Sequence, residues 1–460
     1  MKKYLFLCFI FCGFAFVGKA QSFLGSWAGD LALPSAKLKV VFHLKNSDNV
    51  WSGTMDSPNQ GAFGIPIQTI KVVGDSLFVA DARIAMQYKG KLEINQIKGI
   101  FKQGNFAFTL NLLPQQATQV LATIARPQTP VPPFDYRTEE LLIPNSAEQV
   151  TLAGTLTLPK DGKKAPLLIL ISGSGPQDRD ETIFNHKPFA VLADFFTKNG
   201  YAVFRFDDRG VGKSTGDFNE ATSFNFASDV NAVVNALSAR KDIDRKKIGL
   251  LGHSEGSLVA AIAAASNTKV GFIISLAGPG VSGDKLLLEQ TYLVGKGAGL
   301  RAEVLSQNKQ VNAKLYEAII AQNWTDFDES ATLVVEQFKA LQPELQHQRN
   351  EDLIQNVVPK NIKWFKTFLT TDPAYFYSQL KIPVLAINGE NDIQVSYTQN
   401  LPALQASFKN KKSKTQSFPN LNHLFQTSKT QTLAEYNEIS ETFAPIVLQT
   451  ILDWLKINKL

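Results

Sequence analysis

The run KKIGLLGHSEGSLVAAIAAA at residues 246–265 constrains this chain more tightly than any other stretch. An apolar segment, 248–251, leads into Gly252-His253-Ser254-Glu255-Gly256, and a small-residue helical segment follows. Glycines two before and two after a serine let a strand end and a helix start approach more closely than a Cβ allows, which makes a sharp turn with the serine at its tip. A turn of this kind joins sheet strands to covering helices, so it predicts an α/β architecture.

Neighbouring patterns agree. Segments 152–158, 167–172, 201–206, 247–251, 270–276 and 384–388 read as strands, most of them short apolar runs of the kind buried on both faces of a parallel sheet. Helix-period segments such as 189–198 and 226–239 lie between most of them. The interval 283–380 is too long for a simple crossover. Within it Val304, Val311, Leu315 and Ile319 share a helical face, as do Ala331, Val334, Val335, Phe338 and Leu341. A helical cap over the C-terminal edge of the sheet is expected there, where open α/β folds bind ligands.

Residues 21–124 alternate with period two instead, broken by glycine and Asn/Asp turns. Leu38, Val40, Phe42 and Leu44 fall on one face, and Phe106, Phe108, Leu110 and Leu112 repeat the pattern. A small antiparallel β domain is predicted, a lipocalin-like barrel or a sandwich. Gly25-Ser26-Trp27 is similar to the opening of a lipocalin-type barrel. ARPQTPVPP at 125–133 reads as a proline-rich linker, which leaves 134–460 for the α/β domain.

Lys2-Lys3, the apolar run 4–17 and Gly18-Lys19-Ala20 form a secretory signal, residues 1–20, with cleavage expected before Gln21. The run is too short for a typical span of about 20 residues, so export without a membrane anchor is expected, to the periplasm or beyond. Both cysteines, Cys8 and Cys12, lie in that leader, which leaves the mature chain without disulfides, thiolate metal sites or a cysteine nucleophile. The leader carries Lys2, Lys3, Lys19 and no acid, so the formal charge of +6 falls by three on cleavage. A charge so small and scattered argues against a nucleic-acid partner.

A serine is a poor nucleophile unless its turn is tight, a base reaches its hydroxyl and donors face the developing oxyanion. Ser254 satisfies the first condition. For the base there are five histidines. His43 alternates with Lys39 and Lys45 on the polar face of a strand in the other domain. His253 adjoins Ser254, where adjacent side chains diverge, and is expected to pack beside the sheet. His347 sits in a polar segment of the cap, and His186 lies in a loop that it anchors or caps. His423, in SFPNLNHLFQ after the last strand candidate, is the base. Its acid follows the strand of IPVLAINGENDIQV: Asp392, further past the turn, with Glu390 as the alternative. For the oxyanion, one backbone N–H comes from the residue after the nucleophile, Glu255, and the other from the loop of LLILISGSGPQDRDE, where Ser174 lies between Gly173 and Gly175. The charges from Asp178 to Glu181 read as a solvated run. DDRGVGKS at 207–214 imitates a phosphate loop, but Asp207 stands where that loop needs its first glycine; a structural turn is the better reading.

LAGTLTLP, ISGSGPQDRDE, FRFDDRGVGKSTG, LLGHSEGS, NGENDIQV and LNHLF, in this order, resemble the α/β-hydrolase superfamily, and most closely its bacterial esterase and serine-aminopeptidase-like branch. The resemblance covers residues 135–460. It implies an eight-stranded, mostly parallel sheet with a helical cap, the triad Ser254, Asp392 and His423, and no metal or cofactor. Many relatives carry glycine before the histidine, where this chain has Asn422, a residue that tolerates a left-handed turn. The function that follows is hydrolysis of small-molecule carboxylic esters through an acyl-enzyme. Trp364, Phe365 and Phe368 of the cap serve either an acyl pocket or the packing of their own helix. A peptidase or amidase on the same triad is the nearest rival, and a non-catalytic ligand-binding protein is the rival of another class. Dehalogenase chemistry would need a carboxylate at Ser254.

Overall fold

The computed structural model describes residues 23–460 except 33–36, 49, 58–61, 82–85, 104–105, 116–124, 342–345, 347–348 and 358–361. The expected leader and His347 therefore lie outside the described residues. In the N-terminal part, alternation produces one curled antiparallel sheet. Its strands are β1 (Gly25–Ala32), β2 (Lys37–Ser47), β3 (Val50–Ser57), β4 (Ala62–Pro66), β5 (Thr69–Val73), β6 (Ser76–Asp81), β7 (Met86–Glu93), β8 (Gln96–Gln103) and β9 (Phe106–Pro114), in spatial order β4-β3-β2-β1-β9-β8-β7-β6-β5. The sheet is a half-barrel, and its inner face is filled by side chains, among them Trp27, Phe42, Leu44, Tyr88 and Leu110. The Tyr88 hydroxyl donates to the Leu110 carbonyl at 3.1 Å. A Cβ on Gly90 or Gly99 would stand 2.5 Å from that hydroxyl, so both positions must be glycine for the ring to fit.

The proline-dense stretch 125–133 does more than link. Arg126 donates to the carbonyls of Phe184 at 3.0 Å, Asn437 at 2.8 Å and also Ile439. Gln128 donates to the Phe443 carbonyl at 2.7 Å and accepts from the Phe443 amide at 3.0 Å. This segment is thus strapped onto the second domain.

That domain begins with β10 (Arg137–Asn145), β11 (Val150–Leu158) and β12 (Ala165–Ile171). In β12, Leu167, Ile169 and Ile171 join one apolar cluster while Leu168 and Leu170 join another on the opposite face. A strand apolar at every position needs both faces covered. Among the described residues α1 (Pro188–Lys198) and α11 (Pro445–Asn458) cover one, and α2 (Ser223–Ser238), α3 (Glu255–Ser266) and α10 (Tyr397–Ser407) the other. With β13 (Ala202–Phe206), β14 (Ile243–His253), β15 (Phe272–Leu276), β16 (Val384–Gly389) and β17 (Lys414–Phe418) the strand order is β10-β11-β13-β12-β14-β15-β16-β17. β10 and β11 pair antiparallel and the six strands from β13 to β17 run parallel, as expected for an eight-stranded, mostly parallel sheet.

Between β15 and β16 lie the cap helices α4 (Gly283–Gly297), α5 (Ala302–Ala321), α6 (Trp324–Leu341), α7 (Asn350–Val357), α8 (Ile362–Thr370) and α9 (Pro373–Gln379). Leu315 and Ile319 of α5, Ala331 and Val334 of α6, and Phe365 and Leu369 of α8 form the cap's own core.

Candidate active site

Ser254 sits between the end of β14 and the start of α3 at φ 53° and ψ −124°. A non-glycine residue in this region carries strain of order 1–3 kcal/mol, which persists only where its surroundings over-determine it. Here they do. A Cβ on Gly252 would lie 2.2 Å from the Gly256 carbonyl oxygen, and one on Gly256 would lie 2.3 Å from that of Ile171 at the end of β12. Ser254 N–H donates to the Leu276 carbonyl at 2.9 Å, which pins the turn to β15.

β16 ends at Gly389, and Asp392 follows in the next turn with its side chain fully enclosed. One carboxylate oxygen accepts from the amides of Gln394 and Val395, both at 2.8 Å, and the other accepts from His423 Nδ1 at 2.8 Å. A proton on Nδ1 leaves Nε2 as the acceptor of the imidazole. Glu390, the alternative acid, instead accepts from Ser417 Oγ at 2.7 Å. Asn422 does not adopt the left-handed conformation expected of it; Asn420 and Phe425 do, at φ 61° and 58°. Its side chain builds the turn instead, its Oδ1 accepting from the amides of Leu424 and Gln426 at 3.0 Å each.

Ser254, His423, Ser174, Glu255, Trp364 and Phe368 line one cleft of about 260 Å³. The Ser174 loop comes close: a Cβ on Gly173 would stand 3.1 Å from that of Ser254. Glu255 opens α3, where no helical carbonyl precedes its N–H. Phe365 departs from expectation. It turns into the cap core against Tyr316, ring centres 5.8 Å apart, while Trp364 and Phe368 stack on each other at 5.4 Å on the cleft wall.

The remaining histidines are engaged elsewhere. His43 Nδ1 accepts from Ser26 Oγ and its Nε2 donates to Asp56, each at 2.7 Å, on the outer face of the β domain. His186 is wholly buried, its ring nitrogens 2.8 Å from Thr442 Oγ1 and 3.3 Å from the Tyr436 carbonyl, so it anchors its loop. Burial, and then the Arg126 charge, push it down to about 4, and it is neutral at pH 7. His253, expected beside the sheet, lies against the His423 ring at 4.7 Å.

Sequence reasoning also missed several carboxylates. Glu255 accepts from Ser174 Oγ at 2.7 Å, Ser223 Oγ at 2.6 Å and the cap's Trp364 Nε1 at 2.9 Å. The run from Asp178 to Glu181 is not solvated: Arg179 grips Asp207 through Nε at 3.0 Å and Nη2 at 2.8 Å, Asp180 pairs with Arg205, and Glu181 is buried. Acids paired across the chain leave no local periodicity to read. Among the described residues no group of three or more His, Cys, Asp and Glu is arranged to hold a metal ion.

A parallel sheet covered on both faces, a helical cap inserted before β16, and a strained serine at the strand-to-helix turn define an α/β-hydrolase architecture. The α/β-hydrolase fold family matches residues 166–430, more than half of the sequence, and the chain belongs to that family. Esterase EstD of Thermotoga maritima is 25% identical over 296 residues, which make up 63% of this chain and 63% of that enzyme. Less than two thirds of the esterase's length is therefore matched. Among solved structures, the α/β-hydrolase GrgF of Penicillium sp. sh18 is 17% identical, with 70% of this chain and 98% of that one covered at a TM-score of 0.44. A Pyrococcus furiosus esterase is 16% identical, with 70% and 90% covered at a TM-score of 0.43.

Proposed function

We propose that the chain is an exported serine hydrolase that cleaves carboxylic esters of small molecules through an acyl-enzyme. The observation that carries this reading is the buried Asp392–His423 hydrogen bond of 2.8 Å on the cleft that Ser254 lines. His423 Nε2 takes the Ser254 proton as Oγ attacks the ester carbonyl, and Asp392 holds the tautomer and stabilises the imidazolium. The N–H groups of Ser174 and Glu255 receive the oxyanion. His423 then protonates the leaving alcohol and activates water to release the acid. Likeness to the Thermotoga esterase supports the ester as target. The leader at residues 1–20 supports export.

Fluorophosphonate labelling with Ser254→Ala as control, followed by p-nitrophenyl esters beside aminoacyl and peptidyl anilides, tests the proposal. Labelling that survives Ser254→Ala removes the nucleophile. Turnover of anilides alone replaces the esterase with a peptidase.

A further inference from the structure

His253 takes no part in the proton relay, yet it is buried at the junction of the loops that carry it. Its Nε2 lies 3.0 Å from the backbone carbonyl of His423, which only accepts, so Nε2 carries a proton. Its Nδ1 lies 2.9 Å from Glu181 Oε1, and that same oxygen accepts from the Gly173 amide at 2.8 Å. With Glu181 ionised, that oxygen accepts on both sides and Nδ1 carries a proton as well. Both nitrogens then donate and the ring is an imidazolium, the form that the Glu181 charge favours.

We propose that His253 and Glu181 are a positioning pair that ties the backbone of His423 to the loop supplying the Ser174 oxyanion donor, and that loss of the His253 proton at alkaline pH uncouples them. The inference rests on the hydrolase reading above. Through one ion pair the elbow, the base loop and the oxyanion loop hold a common register. The titratable groups facing the ring are Glu181, His423 and Asp392. Its other surroundings are apolar, with Phe189 and Leu192 from α1, Leu276 from β15, and Leu424 and Phe443. When His423 becomes an imidazolium, two cations lie with ring centres 4.7 Å apart, and the Asp392 and Glu181 carboxylates, one on each ring, offset their repulsion.

Burial opposes the charged ring, but the Glu181 charge and hydrogen bond and the His423 carbonyl outweigh it and hold the proton above the ordinary histidine range. The sign follows directly: the pair is fully present below the ordinary histidine value and fails as pH rises through the raised one.

The test is kcat and KM of a short p-nitrophenyl ester as functions of pH for wild type, His253→Gln and Glu181→Gln, with Ser254→Ala and His423→Ala alongside. Wild type is expected to lose kcat on the alkaline side with KM little changed. His253→Gln, which cannot titrate, is expected to drop kcat about ten- to a hundredfold, as a displacement of about 1 Å does, and to lose the alkaline fall. Should either variant fail to fold, ring ¹⁵N spectra of the wild type decide: of five histidines, His253 is expected to be doubly protonated at pH 7. An alkaline fall unchanged in His253→Gln, or a neutral His253 at pH 7, overturns the proposal. Turnover surviving in both Ser254→Ala and His423→Ala overturns the hydrolase reading instead.

Discussion

Trp364→Phe isolates the link between cap and core. The indole Nε1 donates at 2.9 Å to Glu255 Oε1, and Glu255 is the residue whose amide is to receive the oxyanion. Trp364 stacks on Phe368, spaced 5.4 Å with planes 16° apart; phenylalanine keeps an aromatic ring there and removes the donor with part of the indole's bulk. A hydrogen bond to a charged acceptor contributes about 1.5–3 kcal/mol. Trp364 is half-buried and Glu255 is buried, so water replaces part of the loss and the lower end applies, about 1.5 kcal/mol, or close to tenfold in the ratio of closed to open cap. Ser174 and Ser223 still hold the carboxylate, so the elbow survives and chemistry on a bound ester is little altered. Steady-state kinetics on p-nitrophenyl butyrate is therefore expected to show KM raised about tenfold with kcat within a factor of about two. An unchanged KM refutes a role for this hydrogen bond in holding the cap. A collapse of kcat with KM constant also refutes it, because the indole would then be acting on the oxyanion donors rather than on the cap.

Gly256→Ala places a Cβ 2.3 Å from the Ile171 carbonyl oxygen; overpacking of this kind costs about 1–3 kcal/mol, and both a lower Tm by calorimetry and slower fluorophosphonate labelling are expected. Asp392→Asn preserves the shape of the side chain but not the tautomer of His423, so kcat is expected to fall by about 10⁴ with the circular dichroism spectrum unchanged. The cleft of about 260 Å³ lies just below the usual ~300–1,000 Å³ of small-molecule sites. Acetyl and butyryl esters are therefore expected to exceed dodecanoyl esters in kcat/KM, and the reverse order would show that the cap opens to a larger site.

The central strands and the elbow were legible because close approach and burial on two faces leave local marks: Gly252 and Gly256, and the unbroken apolar run of β12. The edge strands β10 and β17 were not read. β10, sequence RTEELLIPN, alternates charge with partial exposure, and in β17, KTQSF, Phe418 alone is buried. An edge strand that must not aggregate is polar by necessity, and polarity hides it. His423 and Asp392 were picked by chain order and turn position, and the structure joins them by a hydrogen bond of 2.8 Å. The pairing of His253 with Glu181 was not read, because the two are 72 residues apart. Phe365 was misassigned because Trp364, Phe365 and Phe368 share one short helix, and only the packing of α5 against α8 separates cleft wall from cap core.

The C-terminal edge of a parallel sheet presents loops with few backbone partners, and here carboxylates take that part. Asp392 gathers the amides of Gln394 and Val395. Glu181 takes that of Gly173, and Asp208 that of Gln177. Asp207 takes the amides of Arg179 and Lys213, with a Cβ on Gly212 excluded at 2.5 Å from its Oδ2. The segment that imitates a phosphate loop therefore wraps an anion of its own chain. Burial, with Glu181 and Glu255 nearby, pushes Asp208 up to about 8, while Arg179 pairs with Asp207 and His253 with Glu181. Each site loop is thus fixed by an internal acid rather than by the ligand. The proposed mechanism calls for such an arrangement, since donors held in place before charge develops need no reorganisation.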